Sequence, residues 1–308
     1  MIQTHHIAIV GAGLMGHGIA LTMARSGHDV IISDPHAATR DSCTARIADS
    51  MRSMGVSDAE ITTAVSRVST CESIAEAVEN ASFVFEAAPE KLPLKQDIFK
   101  QIEAAAPAEA VLASNTSVIP ITSIMQNLKL RARALGTHWW NPPHLIPLVE
   151  VIKTEWSDPQ LAQSMMDLLA QVGKTPVMVE KDVPGFIGNR LQHALWREAI
   201  SLVENGVCDA AAVDTVIKAS FGRRLAVLGP LENADLVGTD LTLDIHENVL
   251  FDLESRQAPS PYLIQLVAEG KLGMKSGEGF QSWTPEQAQA TRERVVQHLQ
   301  RLEKILPE

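Results

Sequence analysis

The sequence predicts an α/β fold, a doubly wound parallel sheet followed by an all-helical carboxy-terminal domain, and three observations carry the prediction. Short apolar runs alternate with helical periodicity through the amino-terminal part. A glycine-rich turn joins the first run to the first helical stretch. Beyond Phe186 the short runs cease and only amphipathic helical patterns follow.

Taken in order, the run at 6–10, the helical pattern at 14–25 and the run at 29–33 spell strand, helix, strand, a βαβ unit. Residues 35–67 read as two helices, 37–54 and 58–65, separated by the turn Gly55-Val56-Ser57, an excursion that interrupts the alternation. Further apolar runs at 82–85, 110–113, 134–137 and 175–179 alternate with helical stretches such as 94–105 and 159–171, which argues a parallel sheet. Asp182-Val183-Pro184-Gly185 punctuates the change of periodicity, dividing the chain into a nucleotide-type domain, 1–184, and a second domain, 185–308. The second reads as helices at 186–205, 210–220, 240–252 and 262–269, with a polar, peripheral helix at 285–306.

With 308 residues there is room for two ordinary domains, and 45% hydrophobic against 20% charged residues supplies a sizeable core. A net charge of −11 without any block of Lys or Arg gives a nucleic-acid backbone nothing to bind. The opening MIQTHHIAIVGAG carries no basic leader, and no apolar stretch approaches the ~20 residues of a membrane span. The expectation is a soluble, cytoplasmic protein with no membrane partner. Cys43, Cys71 and Cys208 form no CxxC pair, so neither a disulfide framework nor a metal site is expected.

Gly11-Ala12-Gly13-Leu14-Met15-Gly16 lies between the first strand and the first helix, the context in which GxGxxG carries meaning. The first glycine permits the tight turn, the second admits a pyrophosphate to the backbone, and the third allows close helix–strand packing, while the helix amino-terminus favours the phosphate charge. Asp34 follows Gly11 by 23 residues at the end of the second strand, near the spacing of about 20 at which an acid bonds the adenosine ribose. The implied cofactor is NAD rather than NADP, because a carboxylate there repels a 2′-phosphate. The alternative is a glycine turn followed by a helix-starting Asp.

An enzyme that oxidises an alcohol needs a base and a way to fix its tautomer. Among ten histidines, His138 stands at a strand end, where α/β sheets bind ligands. Asn141-Pro142-Pro143 then turns the chain, which returns through 145–151 and brings Glu150 within reach of the imidazole. The residues alone leave open an unrelated strand carboxylate beside a turn.

The segment 136–152 resembles a block of the L-3-hydroxyacyl-CoA dehydrogenase family, HxxNPxxxxxLVEVI, and three more blocks fall in that family's order: 113–117, 182–190 and 272–280. The resemblance covers nearly the whole chain. It implies that His138 is the general acid/base and Glu150 its orienting partner. Ser117 is similar to the family serine that bonds the reacting oxygen near the nicotinamide, and Asn189 to the asparagine that helps hold substrate. Glu90 and Lys95 match positions lining the cofactor site; by themselves they read as a solvated helix start. A homodimer formed through the helical domain is likewise implied.

The chain also departs from the family pattern. Ser50 matches a serine that contacts the CoA nucleotide, but Ser57 stands where acyl-CoA members carry a Lys, and the cations of this helix are Arg40, Arg46 and Arg52. Arg224 resembles an arginine of the branches that oxidise small free hydroxy acids, where a guanidinium clamps a carboxylate; a helix-end cation is the plainer reading. The stretch ending at His144 is similar to a pyridine-carboxylate dehydrogenase branch. Three readings follow: a dehydrogenase of a small free hydroxy acid, a short-chain 3-hydroxyacyl-CoA dehydrogenase, and an NADH-binding, crystallin-like structural or regulatory protein.

Overall fold

The computed structural model describes residues 4–306, and its contacts divide the chain after Arg190. In the first unit the strands are β1 (His6–Val10), β2 (Asp29–Ser33), β3 (Val68–Cys71), β4 (Phe83–Glu86), β5 (Val111–Ser114), β6 (Ala134–Trp139), β7 (Leu148–Lys153) and β8 (Thr175–Val179). Between them lie α1 (Leu14–Arg25), α2 (Ala37–Asp41), α3 (Cys43–Ser53), α4 (Asp58–Val65), α5 (Ile74–Val78), α6 (Leu92–Ala105), α7 (Ile121–Met125) and α8 (Pro159–Gln171). All eight strands form one sheet in the order β3-β2-β1-β4-β5-β6-β7-β8. The order reverses at β1, which pairs in parallel with both β2 and β4, so the crevice for a ligand opens between the carboxyl ends of β1 and β4.

Alternate residues of each strand enter opposite cores. Ile7 and Ile9 join α1 and α3 on one face, while Ala8 and Val10 meet Ile98, Phe99 and Ile102 of α6 on the other. Covered on both faces, the central strands read as continuous apolar runs, which is why they were visible in the sequence.

Three local details differ from the sequence expectation. The helix expected at 37–54 is broken at Ser42, whose hydroxyl bonds the carbonyls of Ala38 and Thr39 in competition with the helical ladder. β3, with Ser69 and Thr70 at its centre, lacks an apolar run and gave no signal. The sheet is also not wholly parallel: β7 runs antiparallel to β6, since the connection at 140–147 is shorter than the dozen or so residues a parallel crossover needs.

In the second unit follow the rest of α9 (Gly188–Glu204), then α10 (Ala210–Ala219), α11 (Pro230–Val237), α12 (Thr239–Val249), α13 (Pro261–Ala268) and α14 (Pro285–Ile305). Side-chain oxygens cap α10, α13 and α14, from Asp209, Ser260 and Thr284. Isolated bridges from Glu278 to Gly273 and Ser282 shape a tight turn within it. No helix among the described residues is long and apolar enough to cross a membrane.

Candidate active site

The glycine turn connects β1 to α1. Gly11 has φ +108°, a conformation an L side chain rarely adopts, and a Cβ on Gly16 would lie 1.8 Å from the Gly11 carbonyl oxygen. Around Gly13, by contrast, a Cβ would meet nothing within 4 Å. The first turn of α1 has no capping side chain and no acidic residue, so its N–H groups face that open space as an anion site.

Asp34, at the end of β2, is 8% exposed. Its Oδ2 accepts from Ala12 N at 2.9 Å and its Oδ1 from His36 N at 2.9 Å. Each oxygen keeps acceptor capacity for a hydroxyl. Arg46 donates to the carbonyls of Ala12 (2.6 Å), Gly13 (3.4 Å) and Thr39 (3.0 Å) and so braces the glycine turn, while Arg40 donates to the carbonyl of Asp34 (2.7 Å) beyond β2.

Across the reversal point, the ends of β4 and β5 hold the next group. Glu90 Oε1 accepts from Thr116 Oγ1 (2.5 Å), Ser117 N (3.1 Å) and Val118 N (3.3 Å), and its Oε2 lies 3.3 Å from Lys95 Nζ. Burial opposes ionisation of Glu90, yet the bonds from Thr116, Val118 and Ser117 and the Lys95 charge outweigh it and hold the carboxyl below its ordinary value. Lys95, expected on a solvated helix start when read by itself, is 1% exposed.

His138 lies near the end of β6 and Glu150 in β7, directly opposite in the antiparallel register. Nδ1 of His138 is 2.7 Å from Glu150 Oε2, and the residues are 3% and 1% exposed. The second oxygen, Oε1, accepts from Ile187 N (2.8 Å) and Gly188 N (3.0 Å) at the start of α9. Burial works against the Glu150 charge, but the bonds from His138, Gly188 and Ile187 prevail and keep its pKa low. Phe186, whose φ of +51° is unusual for a residue with a side chain, is buried with its ring 5.6 Å from that of His138. Trp140 flanks the imidazole on another side at 5.2 Å.

One step on from Gly188, Asn189 donates to Ser117 O at 2.9 Å. Hydrogen bonds therefore join Glu90, Ser117, Asn189, the α9 start, Glu150 and His138 within the first unit. Arg224 belongs to the second unit, where it follows a 3-10 turn, is exposed, and has no side-chain partner among the described residues. Sequence reasoning missed Glu86, Thr116 and Phe186. Only Glu86 carried a signal, as a charge ending the apolar run Phe83-Val84-Phe85. Among the described residues no cluster of three or more metal-ligating side chains occurs.

The sheet order therefore sets Asp34, the glycine turn, Glu90, Ser117 and His138 in one row along the strands' carboxyl ends. In a doubly wound sheet an extended dinucleotide lies along such a row, at the point where the strand order reverses. The fold and the row define an NAD-dependent oxidoreductase. Residues 6–183 match the family model described as 3-hydroxyacyl-CoA dehydrogenase, NAD binding domain, and 185–283 match its C-terminal domain. The chain belongs to the 3-hydroxyacyl-CoA dehydrogenase family.

It is 36% identical over 304 residues to the 5-formyl-3-hydroxy-2-methylpyridine 4-carboxylate 5-dehydrogenase of Mesorhizobium japonicum, covering 98% of both chains. It is 36% identical over 293 residues to the human mitochondrial hydroxyacyl-coenzyme A dehydrogenase, covering 91% of each. A crystal structure of a 5-formyl-3-hydroxy-2-methylpyridine 4-carboxylic acid 5-dehydrogenase, described as an NAD+ dependent dismutase, matches with TM-score 0.90 and 35% identity over 98% of both chains.

Proposed function

We propose that the chain catalyses reversible, NAD-dependent oxidation of the secondary alcohol of a small 3-hydroxy acid bearing a free carboxylate. The observation that carries the chemistry is the buried His138–Glu150 pair at the end of the nucleotide row. Because Nδ1 faces Glu150, Nε2 is the ring nitrogen left to take the alcohol proton. The carboxylate fixes the tautomer and offsets the positive charge the ring acquires. NAD, when bound, accepts the hydride at its nicotinamide ring. Ser117 and Asn189 orient the reacting oxygen, and the buried setting of the dyad excludes water from the transfer.

The free-acid reading is supported by how the acyl-CoA contact positions are used here. Ser57 is the N-cap of α4, engaged in a capping box with Glu60. The Ser50 hydroxyl lies 3.4 Å from His17 Nε2, Arg46 braces the glycine turn, Arg40 bonds the Asp34 carbonyl, and Arg52 pairs with Asp49. A CoA phosphate is offered little uncommitted positive charge. The Mesorhizobium relative, similar over the full length, is named for a carboxylate substrate. Likeness to the human hydroxyacyl-coenzyme A dehydrogenase favours a second reading, a short-chain 3-hydroxyacyl-CoA dehydrogenase. A panel of hydroxy acids and their CoA thioesters, followed by NADH absorbance, decides between them: turnover of thioesters alone would defeat the first.

The carboxy-terminal domain is assigned substrate binding, through Arg224, and homodimer formation. Its apolar side chains support an interface, for Val227, Leu231, Leu236 and Phe251 are 76%, 80%, 71% and 81% exposed. Large apolar side chains left this open favour association with a partner surface.

A further inference from the structure

Behind Glu90 and Lys95 stands Glu86, the last residue of β4, which has no exposed surface. Removing a carboxylate from water costs several kcal/mol unless its partners are well placed. Here they are. Oε1 accepts from Ala88 N at 2.7 Å and Lys95 Nζ at 2.8 Å, and Oε2 accepts from Lys95 Nζ at 3.0 Å and Ser114 Oγ at 2.5 Å. Lys95 also reaches Ala88 O (3.2 Å) and Glu90 Oε2 (3.3 Å). An ammonium group has three protons, and these partners engage them all inside the protein.

We propose that Glu86 is a positioning residue for the nicotinamide end of the NAD site: through Lys95 it fixes the Glu90 carboxylate, which fixes the Thr116-Ser117-Val118 loop. Glu86 has no surface with which to touch a ligand. Buried ion pairs can often be replaced by apolar side chains of similar volume at little cost, so stability alone is a weak reason for this one. What an apolar pair would lack is the line of charged bonds from the ends of β4 and β5 to the loop. That line holds the loop in its binding geometry before NAD arrives, so binding loses less conformational freedom.

The test measures NADH binding by fluorescence, and thermal melting, on the full chain carrying Glu86→Gln, Lys95→Met, both together, or Glu90→Gln. Each of the first two removes one member of the buried Glu86–Lys95 pair and lowers Tm; the double variant removes both and regains much of it. A pair that only holds the fold together would regain NADH affinity along with Tm. The positioning role keeps the NADH Kd raised about ten-fold in the double variant, the loss of one charged hydrogen bond. It also keeps that Kd no higher than in the weaker-binding single variant, because the residues act in one line. Wild-type NADH affinity in the double variant overturns the proposal. So does wild-type affinity in Glu90→Gln, which keeps the test decisive if the buried variants fail to fold. NADH binding is read without an alcohol, so an error in the substrate assignment leaves these outcomes untouched.

Discussion

Glu150 and His138 are register partners across the β6–β7 ladder, and the carboxylate bonds the imidazole with one oxygen while the other accepts the first N–H groups of α9. One side chain thus orients the proposed base and anchors a helix. His138→Gln is expected to leave NADH binding nearly unchanged and to lower turnover about 10²–10⁴-fold. Glu150→Gln is expected to lower both turnover and Tm, because an amide cannot accept from both sites as a carboxylate does. Stopped-flow and melting curves on the two variants check this; a Glu150→Gln protein of normal Tm would show that the helix does not depend on the charge.

Asp34 predicts cofactor choice. NADH should bind much more tightly than NADPH, and Asp34→Asn should weaken NADH while narrowing the gap. Titration of both nucleotides against both proteins reads this directly, and equal catalytic efficiency with NAD and NADP in the wild type would refute the assignment.

Arg224 predicts the substrate. If its guanidinium clamps a carboxylate, Arg224→Met raises KM about 10–150-fold, the value of a charged hydrogen bond of roughly 1.5–3 kcal/mol, and leaves NADH affinity alone. Arg223→Met is the control. Equal effects from both would indicate a diffuse positive field.

Acid stability should fail in a defined window. Burial lowers the pKa of His28 and His17 from 6.5, and burial with the nearby His17 and Lys174 charges lowers that of His144 to about 4. Among the described residues, Nε2 of His28 and Nδ1 of His144 are buried without a hydrogen-bond partner. A folded-state pKa below the unfolded one means that the unfolded chain binds more protons, so stability is full above pH 6.5 and falls as pH drops from there toward 4. Urea midpoints between pH 7.5 and 5 measure the slope; His144→Gln should flatten it, and an unchanged slope would exclude this residue as a source.

Sedimentation at micromolar concentration should show a dimer, and Leu231→Glu with Phe251→Glu should yield a monomer. A wild-type monomer would remove the proposed interface.

Much of this was legible because the signals were local. The glycine turn and Asp34 follow from a short spacing rule, whereas His138 and Glu150 were suggested by a strand end and a turn and joined as a pair only by the family resemblance. Lys95 read as solvent-facing because its partner Glu86 sits nine residues earlier on a different element, and periodicity does not reveal a buried charge pair. Glu86 itself showed only as a charge ending an apolar run. The left-handed backbone of Phe186 was invisible too, since its conformation is imposed by packing on His138 and not by its residue type. Ser57 showed only that a lysine was missing; its role as a cap emerged from the start of α4.

The reversal of direction at β7 bears on how this protein tolerates changes of length. Because neighbouring residues of a strand point to opposite faces, a one-residue insertion within β6 or β7 shifts that strand's register, so that His138 and Glu150 no longer face each other. An insertion in the turn at 141–147 leaves that alternation intact. Relatives that differ in chain length here should therefore carry their gaps in the turn and never in the ladder, and a scan of single-residue insertions across 134–153 should find activity lost at both flanks and kept in the middle.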